Sequence, residues 1–372
     1  MWRKGILTKN KITNDFKYWL ALSRLKGIER VSLKDLLKEF GSPRGVFTSS
    51  QKKLSAFSDA VKSAVRGFDE WDWVEREIGL VEGKGARLIT FDSDEYPLLL
   101  REAPDPPSVL YAKGLKFDNE RPCVSVVGTR HPTPYGIKLS GAIAGGIALA
   151  GVIVASGMAM GCDAAAHTGA LDAGGFTVAV LGTGVDVIYP RECRRIYEEV
   201  SVKGLVLSEF PMSTPPQPYN FPKRNRIISG LSLGVVVVEA PLRSGALMTA
   251  RLALEAGRDV LAVPGPAMSH KSAGTNRLIK EGAPLVESAK DVLDALAIEC
   301  RLNEAEDQAV HEPEAIEQRL VWGALGTETL HIDGIMDKTG LKPARVCAVL
   351  LDMELKGIIE QRPGKFFARR VS

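Results

Sequence analysis

Several things are scarce in these 372 residues. Charge nearly cancels, with 48 Lys and Arg against 45 Asp and Glu, so a net +3 excludes a bulk basic character and leaves nucleic-acid contact to local patches. Five cysteines, Cys123, Cys162, Cys193, Cys300 and Cys347, are odd in number and widely spaced, with no C-x-x-C pair. That excludes a disulfide framework and a structural zinc site, and the thiols are expected to be reduced. The longest apolar runs, such as Ala142 to Ala155, are interrupted by glycine and too short for a bilayer, and the N-terminal stretch has no apolar core of signal-peptide length. No membrane contact and a cytoplasmic location are expected. No G-x-x-x-x-G-K-[ST] occurs, and Gly182-Thr183-Gly184 lacks the third glycine of the dinucleotide fingerprint. Neither ATP hydrolysis nor a conventional NAD site is supported, and no cofactor, metal or catalytic residue is expected.

What is present is enough apolar residue, 45%, for at least one large core and two or three domains. Residues 1–70 show the three-to-four spacing of amphipathic helices at Trp19, Leu22, Leu25, Leu33, Leu36, Leu37 and Phe40. They resemble a SAM-like or helix-hairpin-helix module, with Gly27 and Gly41 closing turns. Between about 86 and 120 a short strand and the turn-forming Asp92-Ser93-Asp94 are expected, and prolines 104, 106 and 107 make 71–121 read as an extended connector. From 122 to 298 short β-branched strands alternate with helices, the pattern of a parallel sheet covered on both faces. Residues 299–318 are acidic and read as a linker, and 319–372 have the outline of three helices and a hairpin, a winged helix. The fold class predicted is therefore α/β: a Rossmann-like, doubly wound, mainly parallel sheet with a helical N-terminal module and a C-terminal winged-helix module.

The stretch from Asn220 to Ala240 is electrically unusual. It places Lys223, Arg224, Asn225 and Arg226 in the first turn of a helix, where the helix dipole already carries about half a positive charge. Ile227, Ile228 and Leu231 form the inward stripe, Asn225, Arg226 and Ser229 lie on the other side, and Arg224 leans over the apolar edge. Either an anion gathers these cations, or Glu209 and Glu239 at strand ends neutralise them internally.

In an open parallel sheet, ligands meet the loops at the carboxyl ends of the strands. Those loops hold Gly128-Thr129-Arg130, Ser156-Gly157, Gly182-Thr183-Gly184, Ser208-Glu209, the basic Lys223 to Arg226, Glu239, Ser244-Gly245 and Pro264-Gly265. Glycine and hydroxyl residues leave backbone N–H groups open to phosphate, and two loops bring cations to the same edge. An anion-binding edge is expected. Asp163 and His167, four apart, read as a local helix-start pair in preference to an acid–base pair.

In order and spacing, SVVGTRHPTPYG, SGMAMGCDAAAHTGAL, VLGTGVDVIYP, LSEFPMSTPP, FPKRNRIISGLS, VVVVEAPLRSGALMTARLALEAGRDVLAVPG and GTNRLIKEGAPLV resemble the bacterial DNA-processing protein A family (DprA/Smf). The resemblance implies a non-catalytic protein that binds single-stranded DNA, dimerises through the Rossmann-like domain and loads RecA recombinase during natural transformation. By position it implies DNA contact by Arg130, Lys223, Arg224, Asn225 and Arg226, with Ser156, Gly157, Ser244 and Gly245 shaping the groove. Where the family commonly has an SGLARGID-like run, Met160 and Cys162 depart from it. Of the cations, Arg224 is expected to be the structural one, paired with Glu209 or Glu239, and Lys223 and Arg226 the functional ones.

A second reading is an enzyme or sensor for a nucleotide-like small molecule, with Arg130, Asp163, Glu239 and Thr249 as its residues. The basic turn beside a winged helix suits a polymer better than one phosphate.

Overall fold

The computed structural model describes residues 9–25, 33–54, 57–299, 316–326, 329–355, 358–362 and 364–369. Two compact units divide the chain, residues 1–301 and 302–372. Gly27, Cys300 and most of the expected acidic linker lie outside the described residues.

The first unit begins with helices α1 (Lys9–Ser23), α2 (Leu33–Phe40), α3 (Pro43–Thr48), α4 (Gln51–Leu54), α5 (Asp59–Arg66) and α6 (Trp71–Gly83). Next come β1 (Arg87–Thr90), α7 (Leu98–Glu102) and β2 (Val109–Gly114). The alternating part then runs β3 (Cys123–Val127), α8 (Pro134–Leu149), β4 (Ile153–Ser156), α9 (Cys162–Asp172), β5 (Thr177–Val180), α10 (Arg194–Lys203), β6 (Leu205–Ser208), α11 (Asn220–Leu231), β7 (Gly234–Val237), α12 (Gly245–Glu255), β8 (Asp259–Ala262), α13 (Ala273–Lys280) and α14 (Ala289–Ala295).

One eight-stranded sheet results, ordered β1-β2-β6-β5-β4-β3-β7-β8. From β6 to β8 all neighbours are parallel, and the order reverses between β3 and β7. That reversal is the topological switch point of a doubly wound fold, where the loops after β3 and β7 diverge and open a crevice. The two-residue period of the strands sorts the core. In β5, Val178 and Val180 face one hydrophobic layer with Ile227 and Leu231 of α11, while Ala179 faces the other with Leu20 and Tyr197.

The expected connector over 71–121 is overturned. Residues 71–83 are helix α6, and 87–114 carry a strand pair that extends the sheet, β2 lying antiparallel to β6 through Tyr111↔Ser208 to Gly114↔Leu205. The prolines are confined to the turn between α7 and β2, which leaves the apolar runs on either side free to pair. Nor do the first 70 residues stand apart. Trp19, Leu20, Leu36 and Val46 share one buried cluster with Tyr111, Leu181 and Met212, so the helices and the sheet form one body. Gly41 does close the turn after α2, at a φ of +75° that favours glycine.

In the second unit α15 (Ile316–Leu325), β9 (Leu330–His331), α16 (Ile332–Thr339), α17 (Pro343–Leu355), β10 (Ile359–Arg362) and β11 (Phe366–Arg369) make a winged helix. The expected hairpin is there, and β9 adds a third strand to it, in the order β10-β11-β9. Val321, Ile335, Val346, Leu350, Met353 and Phe367 fill its core.

Candidate nucleic-acid interface

The cationic first turn of α11 is sorted by burial. Its four polar side chains do four different things.

Arg224 is 4% exposed. One of its terminal nitrogens donates to the carbonyls of Gly157 and Val180, which end β4 and β5, and Asp163 at the start of α9 supplies the nearby negative charge. Burial lowers its pKa to about 10, so the guanidinium is still charged at neutral pH. The same burial pushes the Asp163 carboxyl up, against the pull of Arg224 and of backbone donors. Gly157 has to be glycine here, because a Cβ would lie 2.7 Å from Asp163 Oδ2 and closer still to Arg224.

Arg226 was expected to be free for a ligand. Instead it is Arg226 that pairs with Glu209, and it also reaches Asp105 Oδ2 at 3.3 Å. The physical reason is helix phase. Arg224 points across the sheet edge into the strand carbonyls, whereas Arg226 turns back toward the end of β6. Asn225 and Ser229, expected on the outer side, are buried under α12, with Asn225 Nδ2 donating to Gly245 O at 3.4 Å and Ser229 Oγ to Thr249 O at 2.9 Å.

Lys223 remains at the surface. Its side chain is 57% exposed against 7% for Glu209, which it approaches at 3.7 Å. Burial pushes the Glu209 carboxyl up while Arg226 and Lys223 pull it down. Arg130, in the loop after β3, is exposed and lies 5.3 Å from the Phe221 ring centre. Tyr189 meets the same ring at 5.6 Å.

Around these residues lies a pocket of about 40 Å³, lined by Arg130, Gly157, Met160, Gly182, Tyr189 and Phe221 among others. It is far below the roughly 300–1,000 Å³ that engulfs a small-molecule ligand, yet one of its walls is aromatic and another cationic. Met160, the departure from the usual run, is part of that wall. Cys162 is buried against Gly128, and burial pushes its thiol up to about 12, so it is inert packing.

The hydroxyl and glycine residues divide in the same way. Ser156 is buried and donates to Val126 O at 2.7 Å; Ser244 caps α12 by accepting from Leu247 N at 3.3 Å; Gly245 is exposed, with nothing near the place of a Cβ. Structure thus brings Arg130, Gly157 and Arg224 into one pocket, while Ser244 and Gly245 belong to the loop after β7. Two exposed cations went unnoticed in the sequence, Arg191 directly after Pro190 and Arg243 directly before Ser244. Neither makes an ion pair among the described residues, and their adjacency to strand-end loops was the available signal.

Of the residues of the enzyme reading, Arg130 lines the pocket and Asp163 lies by Arg224, while Glu239 and Thr249 are committed elsewhere. Glu239 accepts from Thr133 N at 2.9 Å and from its hydroxyl, fixing the start of α8, and Thr249 donates to Gly245 O at 3.0 Å. His167 does not pair with Asp163. Its Nδ1 meets Thr177 Oγ1 at 2.7 Å, and burial lowers its pKa to about 3.

Residues 87–297 match the family model described as DNA recombination-mediator protein A, and 304–365 match the DprA winged helix domain. The chain belongs to the DNA recombination-mediator protein A family. Its curated relatives in this family include Protein Smf of Synechocystis, 33% identical over 95% of this chain and 98% of that one. Protein Smf of Escherichia coli is 38% identical over 80% and 81% respectively. Among solved members, DprA of Streptococcus pneumoniae superposes with a TM-score of 0.61 at 34% identity, covering 74% of this chain and 95% of that one. A structure of DprA from Helicobacter pylori, described by its single-stranded DNA binding mode, superposes at 0.51 with 29% identity, covering 57% of this chain and 95% of that one.

Proposed function

We propose that this protein binds single-stranded DNA along the carboxyl edge of its parallel sheet, protects it and loads RecA recombinase onto it in natural transformation, acting as a homodimer in the cytoplasm without chemistry of its own. The observation that carries the reading is the exposed Arg130 over the Phe221 ring, with exposed Lys223 in the same first turn of α11, on an open glycine-lined edge. Cations of this kind neutralise phosphates, and an aromatic face accepts any base, so binding is tolerant of sequence and weakens as salt rises. Arg224, Asn225 and Arg226 act beneath the surface, holding the wall in shape. The solved relative from Helicobacter pylori supports the choice of ligand, and the recombination-mediator family supports RecA as partner. Helix α12 leaves Met248 and Leu254 exposed alongside Arg251 and Glu255, a mixed surface open to a second copy. Fluorescence anisotropy with a labelled single-stranded oligonucleotide, run beside hydrolysis assays of nucleoside monophosphates, tests the reading. Binding without turnover is expected; turnover with no binding at low salt overturns it.

A further inference from the structure

The loop from β6 to α11 begins at Glu209, which holds Lys223 and Arg226, and ends at Asn220, whose Nδ2 donates to Gly182 O at 3.0 Å. Between them the turn Pro211–Thr214 is held at three points. Gly184 N donates to Thr214 O at 3.0 Å. Ser213, at a φ of +59°, donates its N–H to Asp186 Oδ1 at 2.7 Å and its hydroxyl to Oδ2 at 3.0 Å. Met212 N donates to Glu77 Oε1 at 2.6 Å.

The third anchor differs from the others in origin. Gly184 and Asp186 belong to the sheet edge itself, but Glu77 comes from α6, outside the stretch matched by the family model. It is 3% exposed, and burying a carboxylate is costly unless it is hydrogen-bonded. Tyr111 also bonds it, Asp186 opposes its charge and Arg24 favours it. A left-handed serine is likewise a conformation that persists only where its surroundings impose it. Two strained or costly features therefore converge on one four-residue turn, within the loop that joins Glu209 to the first turn of α11.

We infer that Glu77 is a positioning residue of the DNA site: from the N-terminal helices it fixes the β6–α11 loop, and with it the first turn of α11, in the geometry that meets the strand. The inference rests on the single-stranded DNA reading. It makes the helical region a support of the groove and not a separate appendage.

The test compares wild type, Glu77→Ala and Glu77→Gln as full-length chains, by amide hydrogen exchange and by binding of a labelled oligothymidylate. Glu77→Ala is expected to exchange faster over residues 210–220 and to bind about tenfold more weakly, while Glu77→Gln, which keeps an acceptor oxygen, restores both to within about twofold. Should Glu77→Ala not fold, Asp186→Ala loosens the same turn from its half-buried side and is expected to show the same pair of changes. Wild-type exchange and affinity in the folded variants overturn the assignment. Faster loop exchange in a protein whose wild type binds no oligothymidylate overturns the DNA reading itself, and the positioning role with it.

Discussion

The Arg130 guanidinium lies 5.3 Å from the centre of the Phe221 ring, tying the loop after β3 to the first turn of α11 across the intervening strand ends. A cation held over an aromatic face offers phosphate and base contact within one nucleotide's reach. Removing either partner separates these contributions.

Arg130→Ala is expected to weaken single-stranded DNA binding about tenfold and to lower the slope of log K against log salt by roughly 0.7, the share of one neutralised phosphate. Phe221→Leu is expected to weaken binding with the salt slope unchanged. Anisotropy titrations at several salt concentrations read both quantities.

Lys223 and Arg226 predict opposite outcomes though they share Glu209. Lys223→Ala removes an exposed charge, so it is expected to lower DNA affinity and to shift stability by no more than about 1 kcal/mol. Arg226→Ala leaves the Glu209 carboxylate buried without its main partner, an expected loss of about 3 kcal/mol. Urea unfolding of the two variants measures the difference.

Gly157→Ala is expected to cost about 1–3 kcal/mol, because its Cβ displaces Arg224 from the carbonyl ends of β4 and β5. DNA affinity falls with it, through the shape of the pocket wall. Gly245→Ala, where nothing lies near, is expected to keep its stability near that of wild type.

His167 predicts an acid limb. Its folded pKa of about 3 lies below the ordinary value of 6.5, so the unfolded chain binds the extra proton and stability falls as pH drops through that window. Between pH 7 and 5 the loss from this one group is about 2 kcal/mol. Glu77, Asp163 and Glu209, all with raised carboxyl pKa values, act in the opposite direction, so the measurable quantity is a difference. His167→Asn is expected to flatten the fall in chemical-denaturation stability between those pH values relative to wild type.

Much of the fold was legible because its strands are continuous β-branched runs and its helices keep their period, which puts the strand-end loops in one place. A short strand was legible before Pro97, but the pairing of β1 and β2 and their place in the sheet were hidden by Pro104, Pro106 and Pro107, whose effect stays local to a turn. Site residues were legible as a set but not individually. Helix phase placed Ile227, Ile228 and Leu231 correctly, yet it could not show that α12 covers Asn225 and Ser229, or that Arg224 would find carbonyls and Arg226 a carboxylate. Those outcomes depend on neighbours far along the chain. Glu77 had no signal at all, since a lone glutamate on an amphipathic helix reads as solvent-facing.

The most direct test of the groove is single-stranded DNA affinity of wild type and the Arg130→Ala, Lys223→Ala double variant across a salt series. The prediction is tight, sequence-tolerant and salt-sensitive binding by wild type, with the double variant weaker and its salt dependence shallower while its unfolding curve is unchanged. Equal affinity and equal slope in the two proteins contradict the groove.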